Sequence, residues 1–354
     1  MGNILILSGP IQSGKTTSIF KFIANKKKVG GFLCPDINGK RMIYFPNENS
    51  VGPFQVEPSE DTLNIGKFSF DHDVFNKACE LLVSPLTLAN ELVVVDEVGP
   101  MELKEQGYYS SLNKLIVNWN SNSSGVLILV VREHLVREVK DKFDLKEVDV
   151  ISIKDLTIDT LPSNNINAAI LCGGESSRMK IDKFNLKYDG VEQYKRLFQI
   201  FNELYLSSIL SCNDSQFLNF NRSFDLIVDN KIYSDGGPLT GILSVYDQVQ
   251  SDLIIVGCDY PLLQKQHIEI LKQFSMYGFT SIGFVKKNRP GYVEPLICYL
   301  SITILNQLKN YFLEGGRSLN HYLQQVNPLK IQLLDDRFLK SFDTPEDYQS
   351  YSNY

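Results

Sequence analysis

Gly9-Pro10-Ile11-Gln12-Ser13-Gly14-Lys15-Thr16, followed by Thr17, sets two glycines, a lysine and hydroxyls at the spacing of a phosphate loop. Such a loop turns backbone N–H groups toward a β-phosphate, sends its lysine to the β- and γ-phosphates and offers its threonine hydroxyl to Mg²⁺. Farther along, Leu92-Val93-Val94-Val95 runs straight into Asp96-Glu97. At the end of an apolar strand, Asp96 can hold Mg²⁺ and Glu97 can orient or deprotonate an attacking water. Lys15, Thr16, Asp96 and Glu97 are thus the candidate machinery for hydrolysing a nucleoside triphosphate, GTP or ATP.

A second loop of another kind follows Ala168-Ala169-Ile170-Leu171: Leu171-Cys172-Gly173-Gly174, then Ser176-Ser177-Arg178-Met179 and Asp182-Lys183. Two glycines let the backbone approach a nucleotide closely, and successive amides can form a phosphate nest. Arg178 and Lys183 would balance triphosphate charge. Nucleotidyl transfer needs such balance because the pyrophosphate leaving group gains charge as its bond breaks. It also needs a divalent cation, Mg²⁺, which Asp259 could ligate at the end of the apolar run Leu253 to Val256.

These groups must be carried by strands and helices. The first half alternates strands at residues 3–8, near Gly31-Phe32-Leu33, around Met42 to Phe45, at Leu92 to Val95 and at Val126 to Val131 with helices over Lys15 to Asn25 and about Phe70 to Ala89. Continuous β-branched runs bounded by turns suit a parallel sheet covered on both faces. Asp155 to Asn167, rich in Thr, Asp, Pro, Ser and Asn, reads as a linker. A second alternation follows, with strands at 168–172, 207–211, 225–228 and 252–257, helices around Gln193 to Leu206 and at 239–250, and a capped terminal helix at Pro345. The expected fold is α/β: a phosphate-loop domain over 1–155, a linker over 156–166, and a Rossmann-like three-layer αβα nucleotidyltransferase domain of GT-A type over 167–354.

The 354 residues suffice for two domains, and 43% hydrophobic content can fill two cores. A net charge of −6 leaves no basic excess for a phosphate backbone, so no nucleic-acid partner is expected. Six scattered cysteines without a Cys-x-x-Cys pair suggest reduced thiols, and no apolar stretch approaches membrane-spanning length. A soluble cytoplasmic protein without a membrane partner is the expectation. Composition does not address oligomeric state.

Asp96-Glu97-Val98-Gly99-Pro100-Met101-Glu102-Leu103, taken with the first loop and Gly30-Gly31-Phe32, resembles the small nucleoside-triphosphatase family first described from thermophiles. That resemblance spans about residues 1 to 150. It implies a γ-phosphate-stabilising role for Arg132 and does not identify the phosphate ester cleaved. The second loop, Asp229, Asp235-Gly236-Gly237-Pro238-Leu239-Thr240-Gly241 and Cys258-Asp259-Tyr260-Pro261 are similar in order and separation to the molybdenum cofactor guanylyltransferase family. Glu294-Pro295-Leu296, Gly315-Gly316-Arg317-Ser318 and Asp343 to Asp347 extend the match over about residues 165 to 354. It implies GMP transfer from GTP to molybdopterin carrying molybdenum. Leu171 to Gly174 would hold guanine and ribose, Lys183 the phosphates, Asn213 the underside of the base, Asp229 the nucleotide and Asp259 the Mg²⁺. Lys180 stands where the family usually has glycine, and Cys172 where it has alanine. A cytidylyl- or sugar-phosphate nucleotidyltransferase on the same fold, and a nucleotide-responsive binding module without turnover, are the alternatives.

Overall fold

The computed structural model describes residues 3–24, 26–156, 165–172, 186–218, 220 and 224–351. Two compact units divide the chain, Met1–Leu161 and Pro162–Tyr354. Residues 157–164 of the expected linker, and Gly173, Gly174, Arg178 and Lys183 of the second loop, lie outside the described residues.

In the first unit β1 (Asn3–Gly9) leads through the loop to α1 (Lys15–Ile23), then β2 (Val29–Phe32). A small antiparallel group follows, made of β3 (Asp36–Ile37), β4 (Lys40–Phe45) and β5 (Ser50–Pro53). A second one, β6 (Gln55–Val56), β7 (Thr62–Ile65) and β8 (Phe68–Asp71), occupies a stretch whose sequence gave no strand signal. The helix expected from Phe70 to Ala89 is two: α2 (His72–Val83), capped by Asp71, and α3 (Pro85–Leu88). Proline cannot donate inside a helix and biases the residue before it away from helical backbone, so the chain breaks at Ser84, which is extended and caps the new turn. The unit closes with β9 (Leu92–Val98), α4 (Pro100–Leu103), α5 (Tyr109–Asn122), β10 (Val126–Arg132), α6 (Val136–Lys142) and β11 (Asp149–Ile151).

Its main sheet is all parallel in the order β11-β1-β10-β9-β2. Alternate residues Ile4, Ile6, Val93, Val95, Leu127 and Leu129 bury one face against α2 and α5, through Phe75, Leu82, Leu115 and Trp119 among others. The opposite residues Leu7, Val94 and Ile128 are equally buried, as are Ile19, Phe20 and Ile23 of α1. Gly31 has φ +82°, and a Cβ there would collide with the Val94 carbonyl on the neighbouring strand, so only glycine fits.

In the second unit come β12 (Ile166–Leu171), the hairpin β13 (Lys187–Tyr188) and β14 (Val191–Glu192), α7 (Gln193–Glu203), β15 (Ser207–Cys212), α8 (Asp214–Phe217) and β16 (Asp225–Val228). After these lie α9 (Pro238–Val249), β17 (Asp252–Gly257), α10 (Lys265–Ser275), β18 (Ser281–Lys286), β19 (Arg289–Leu300), α11 (Ile302–Leu313), α12 (Leu319–Val326), β20 (Leu329–Ile331) and α13 (Pro345–Ser350). Strands run in the order β16-β15-β12-β17-β19-β18-β20, with β19 antiparallel to both neighbours. Ala169, Leu253 and Ile255 pack with residues of α9, α11 and α12, while the alternate Ala168, Ile170, Ile254 and Val256 are fully buried on the side served by α7 and α10. This is a three-layer αβα arrangement. Among the described residues no helix is long and apolar enough to cross a membrane.

Candidate active sites

Parallel strands deliver their C-terminal ends to one edge, and the first site stands there. Gly14, at φ +82°, ends the loop as the N-cap of α1. Lys15 folds back over the loop, its Nζ donating to Gly9 O at 2.9 Å and Pro10 O at 2.7 Å. Partial burial lowers its pKa, opposed by the negative charges of Asp96 and Glu97 nearby. Ile11, Gln12 and Ser13 are exposed, Thr17 is half-buried, and Thr16 donates its hydroxyl to Asp96 Oδ2 at 3.0 Å. Asp96 also accepts from the Cys34 N–H at 3.0 Å and, through Oδ1, from the Glu97 N–H at 2.9 Å. Burial foremost, and the charge of Glu97 second, hold its carboxyl above the usual range.

Glu97 meets two guanidinium groups, Arg41 Nη1 at 2.8 Å and Arg132 Nη2 at 3.4 Å. Arg132 ends β10, the strand lying between β1 and β9, and pairs in register with Gly9. Arg41 carries no motif and escapes sequence reading. Glu102, inside the acidic stretch, is a clamp: its carboxylate accepts from the Gly99 N–H at 2.9 Å and the Tyr108 N–H at 3.0 Å, shaping the turn after β9. Pro100 is the first residue of α4.

The second unit switches strand direction of travel at β12, whose neighbours β15 and β17 follow it on opposite sides. In open α/β sheets such a switch opens a crevice at the carboxyl ends of the strands. A cavity of about 640 Å³ lies there, bordered by Leu171 at the end of β12 and Cys172 after it, Ser211 and Asn213 from the β15 end, Asp229 after β16, and Cys258 and Asp259 after β17. Gly237, Pro238, Thr240 and Gly241 bring the N-terminal turn of α9 to the same cavity, where its partial positive charge suits a phosphate.

Leu171, Cys172, Asn213, Asp229 and Asp259 are therefore brought together, whereas Gly173, Gly174, Arg178 and Lys183 fall outside the described residues. Asp229 accepts a hydrogen bond from Ser211 Oγ, and burial raises its carboxyl pKa. Ser211, interior to a strand, carries no sequence signal. Asn213 borders the cavity, but its Oδ1 caps α8, accepting from the Gln216 N–H at 2.9 Å. Around the site, Tyr260 donates to Glu294 Oε1 at 2.6 Å, and Arg317 Nε to Asp235 Oδ2 at 2.8 Å.

One expectation is corrected. Cys172 and Cys258, read as reduced thiols, form a disulfide. Their Cα atoms are 5.5 Å apart because adjacent parallel strands end side by side, a distance within disulfide range that a separation of 86 residues conceals. Cys34, Cys79, Cys212 and Cys298 are free.

Among the described residues no three acids, histidines or cysteines converge on a metal position. Thr16 and Asp96 offer two oxygens, a partial set of the kind Mg²⁺ completes with phosphate and water. The donor set fits the ion.

Residues 4–164 match the family described as NTPase, and residues 168–328 the family described as MobA-like NTP transferase domain. Over 198 residues the chain is 26% identical to the probable molybdenum cofactor guanylyltransferase of Nostoc sp. (strain PCC 7120 / SAG 25.82 / UTEX 2576), covering 52% of this chain and 89% of that one. The molybdenum cofactor guanylyltransferase of Yersinia pestis (strain Pestoides F) is 25% identical over 186 residues, covering 52% and 93%. A solved structure, molybdopterin-guanine dinucleotide biosynthesis protein A from Archaeoglobus fulgidus, is 17% identical, covers 53% of this chain and 97% of its own, and superposes with a TM-score of 0.43.

Proposed function

We propose, for a chain that joins an NTPase segment to a MobA-like nucleotidyltransferase segment, two reactions: nucleoside triphosphate hydrolysis in the first unit, and transfer of GMP from GTP to molybdopterin in the second. The observation that carries this reading is one site in each unit at the carboxyl ends of parallel strands, with the buried Asp96 in the first and the half-buried Asp229 and Asp259 in the second.

In the first reaction Lys15 would leave Gly9 O and Pro10 O for the β- and γ-phosphates. Glu97 would take a proton from water as its oxygen bonds to the γ-phosphorus and the bond to the nucleoside diphosphate breaks. Thr16 and Asp96 would hold Mg²⁺, which supplies charge neutralisation when bound. In the second, a phosphate oxygen of molybdopterin attacks the α-phosphorus of GTP and pyrophosphate departs, so no covalent enzyme intermediate is needed. Leu171, Cys172 and the two glycines that follow would hold the base and ribose. Asp229 would contact the nucleotide, Asp259 would hold Mg²⁺, and Arg178 with Lys183 would balance charge on the departing pyrophosphate.

The test is product analysis by mass spectrometry after incubating the whole chain with GTP, Mg²⁺ and molybdenum-loaded molybdopterin. A guanylylated pterin with pyrophosphate is expected, accompanied by GDP and phosphate that Lys15→Ala alone removes. Formation of a cytidylylated product only, when CTP is supplied, or joint loss of both product sets in a folded Lys15→Ala protein, overturns the reading.

A further inference from the structure

We infer that Arg41 is a positioning residue for hydrolysis in the first unit, setting the carboxylate of Glu97. This rests on the reading of Glu97 as the base.

The strand that delivers Glu97 is irregular at that point. Between Leu129 opposite Val95 and Val131 opposite Val98, β10 advances two residues while β9 advances three. This extra residue is a bulge, a device that re-aims a side chain at the end of a ladder. Glu97 stands in it with φ +60°, a left-handed backbone that a glutamate adopts only when its surroundings impose it.

Those surroundings form a closed circuit. The Glu97 N–H donates to Asp96 Oδ1 at 2.9 Å, and Asp96 Oδ2 accepts from the Cys34 N–H at 3.0 Å. The Cys34 carbonyl accepts from Arg41 Nη1 at 3.0 Å, and the same nitrogen meets Glu97 Oε1 at 2.8 Å. Arg41 is itself anchored through its backbone, whose N–H donates to Gln55 Oε1 at 3.2 Å and whose carbonyl accepts from the Phe54 N–H at 3.3 Å.

An exposed ion pair adds little stability, but the value of this one is direction. Glu97 and Arg41 side chains are each about one-third exposed, at 33% and 32%. Arg132, more exposed at 43% and farther at 3.4 Å, has no second anchor among the described contacts. Arg132 is therefore the guanidinium free to turn toward a γ-phosphate, and Arg41 is the one that stays with the glutamate. The circuit couples Asp96, the side chain proposed to face Mg²⁺, to the side chain proposed to face water.

GTP hydrolysis with Mg²⁺ and no pterin acceptor, assayed on the full chain, tests this with Arg41→Ala, Arg41→Lys and Glu97→Gln. Arg41→Ala should lower kcat by about 10- to 100-fold, the scale of losing the orientation of a reacting group, with KM changed less than about threefold. Arg41→Lys, which keeps the charge, should recover part of that loss. In the Glu97→Gln background Arg41→Ala should cost less than about twofold more, since both changes disable one unit. Equal effects in the two backgrounds, an unaltered kcat, or a rise in KM alone would overturn the role of Arg41. Unchanged turnover in Glu97→Gln would instead overturn the base reading beneath it. If Arg41→Ala fails to fold, Arg41→Gln is assayed beside it under the same outcomes.

Discussion

Gly257 ends β17 two residues before Asp259, and a Cβ placed there would stand 2.5 Å from the Asp259 carboxylate and 3.3 Å from Leu296. Gly257→Ala should therefore push that carboxylate out of line and cut guanylyl transfer by at least tenfold while leaving hydrolysis in the first unit unchanged. Asp259→Asn should do the same more completely, because a neutral amide is a poor ligand for a hard cation. Pyrophosphate and phosphate release, measured separately, check both; transfer near the wild-type rate in Asp259→Asn would shift the role to Asp229. Lys15, Thr16, Asp96 and Asp259 stand out in the sequence as candidates because each follows an apolar run at a motif spacing. Arg41 and Ser211 do not, since nothing local distinguishes a strand arginine or serine that folding carries to a site. Glu102 lies in the same acidic stretch as Asp96 and Glu97, and its carboxylate is engaged by two backbone N–H groups.

Elements with regular periodicity were equally readable. The strands 225–228 and 252–257 and the helices at 239–250 and 345 stand where the sequence puts them, with Thr344 and Asp347 forming the expected capping box. The two short antiparallel groups between Asp36 and Asp71 were legible only in part: strands of two to six residues carry too little alternation, and their pairing is non-local. At α10 the cap holds a titratable group. His267 accepts from the Gln264 N–H through Nδ1 at 2.9 Å and stacks on Phe338, and burial lowers its pKa to about 4. In the unfolded chain it would titrate at about 6.5. The folded state thus binds fewer protons, so its contribution is fully present above about 6.5 and is lost as pH falls toward 4. His267→Asn keeps an acceptor for the cap without titrating. Urea unfolding of wild type and variant should diverge with acid by up to about 3 kcal/mol over that window, the worth of a shift of this size. Parallel pH profiles would refute the assignment.

At the scale of the molecule the chain resolves into Met1–Leu161 and Pro162–Tyr354, each with its own sheet and buried core. Alternating strands and helices on either side of a polar stretch made that division legible, because each half must bury its own apolar faces. What the sequence hid was covalent. The Cys172–Cys258 bond lies wholly within the second unit and closes a loop between positions 86 residues apart. By the chain-entropy account such a cross-link is worth roughly 4 to 5 kcal/mol against the unfolded state. Denaturant unfolding should accordingly show two transitions, and dithiothreitol should lower the midpoint of one and leave the other in place. A single transition, or two that move together, would refute this. The bond thus offers a chemical address for one half of a fused chain: a small reductant can loosen the transferase unit selectively, letting the contribution of each half be read in the intact protein without cutting it.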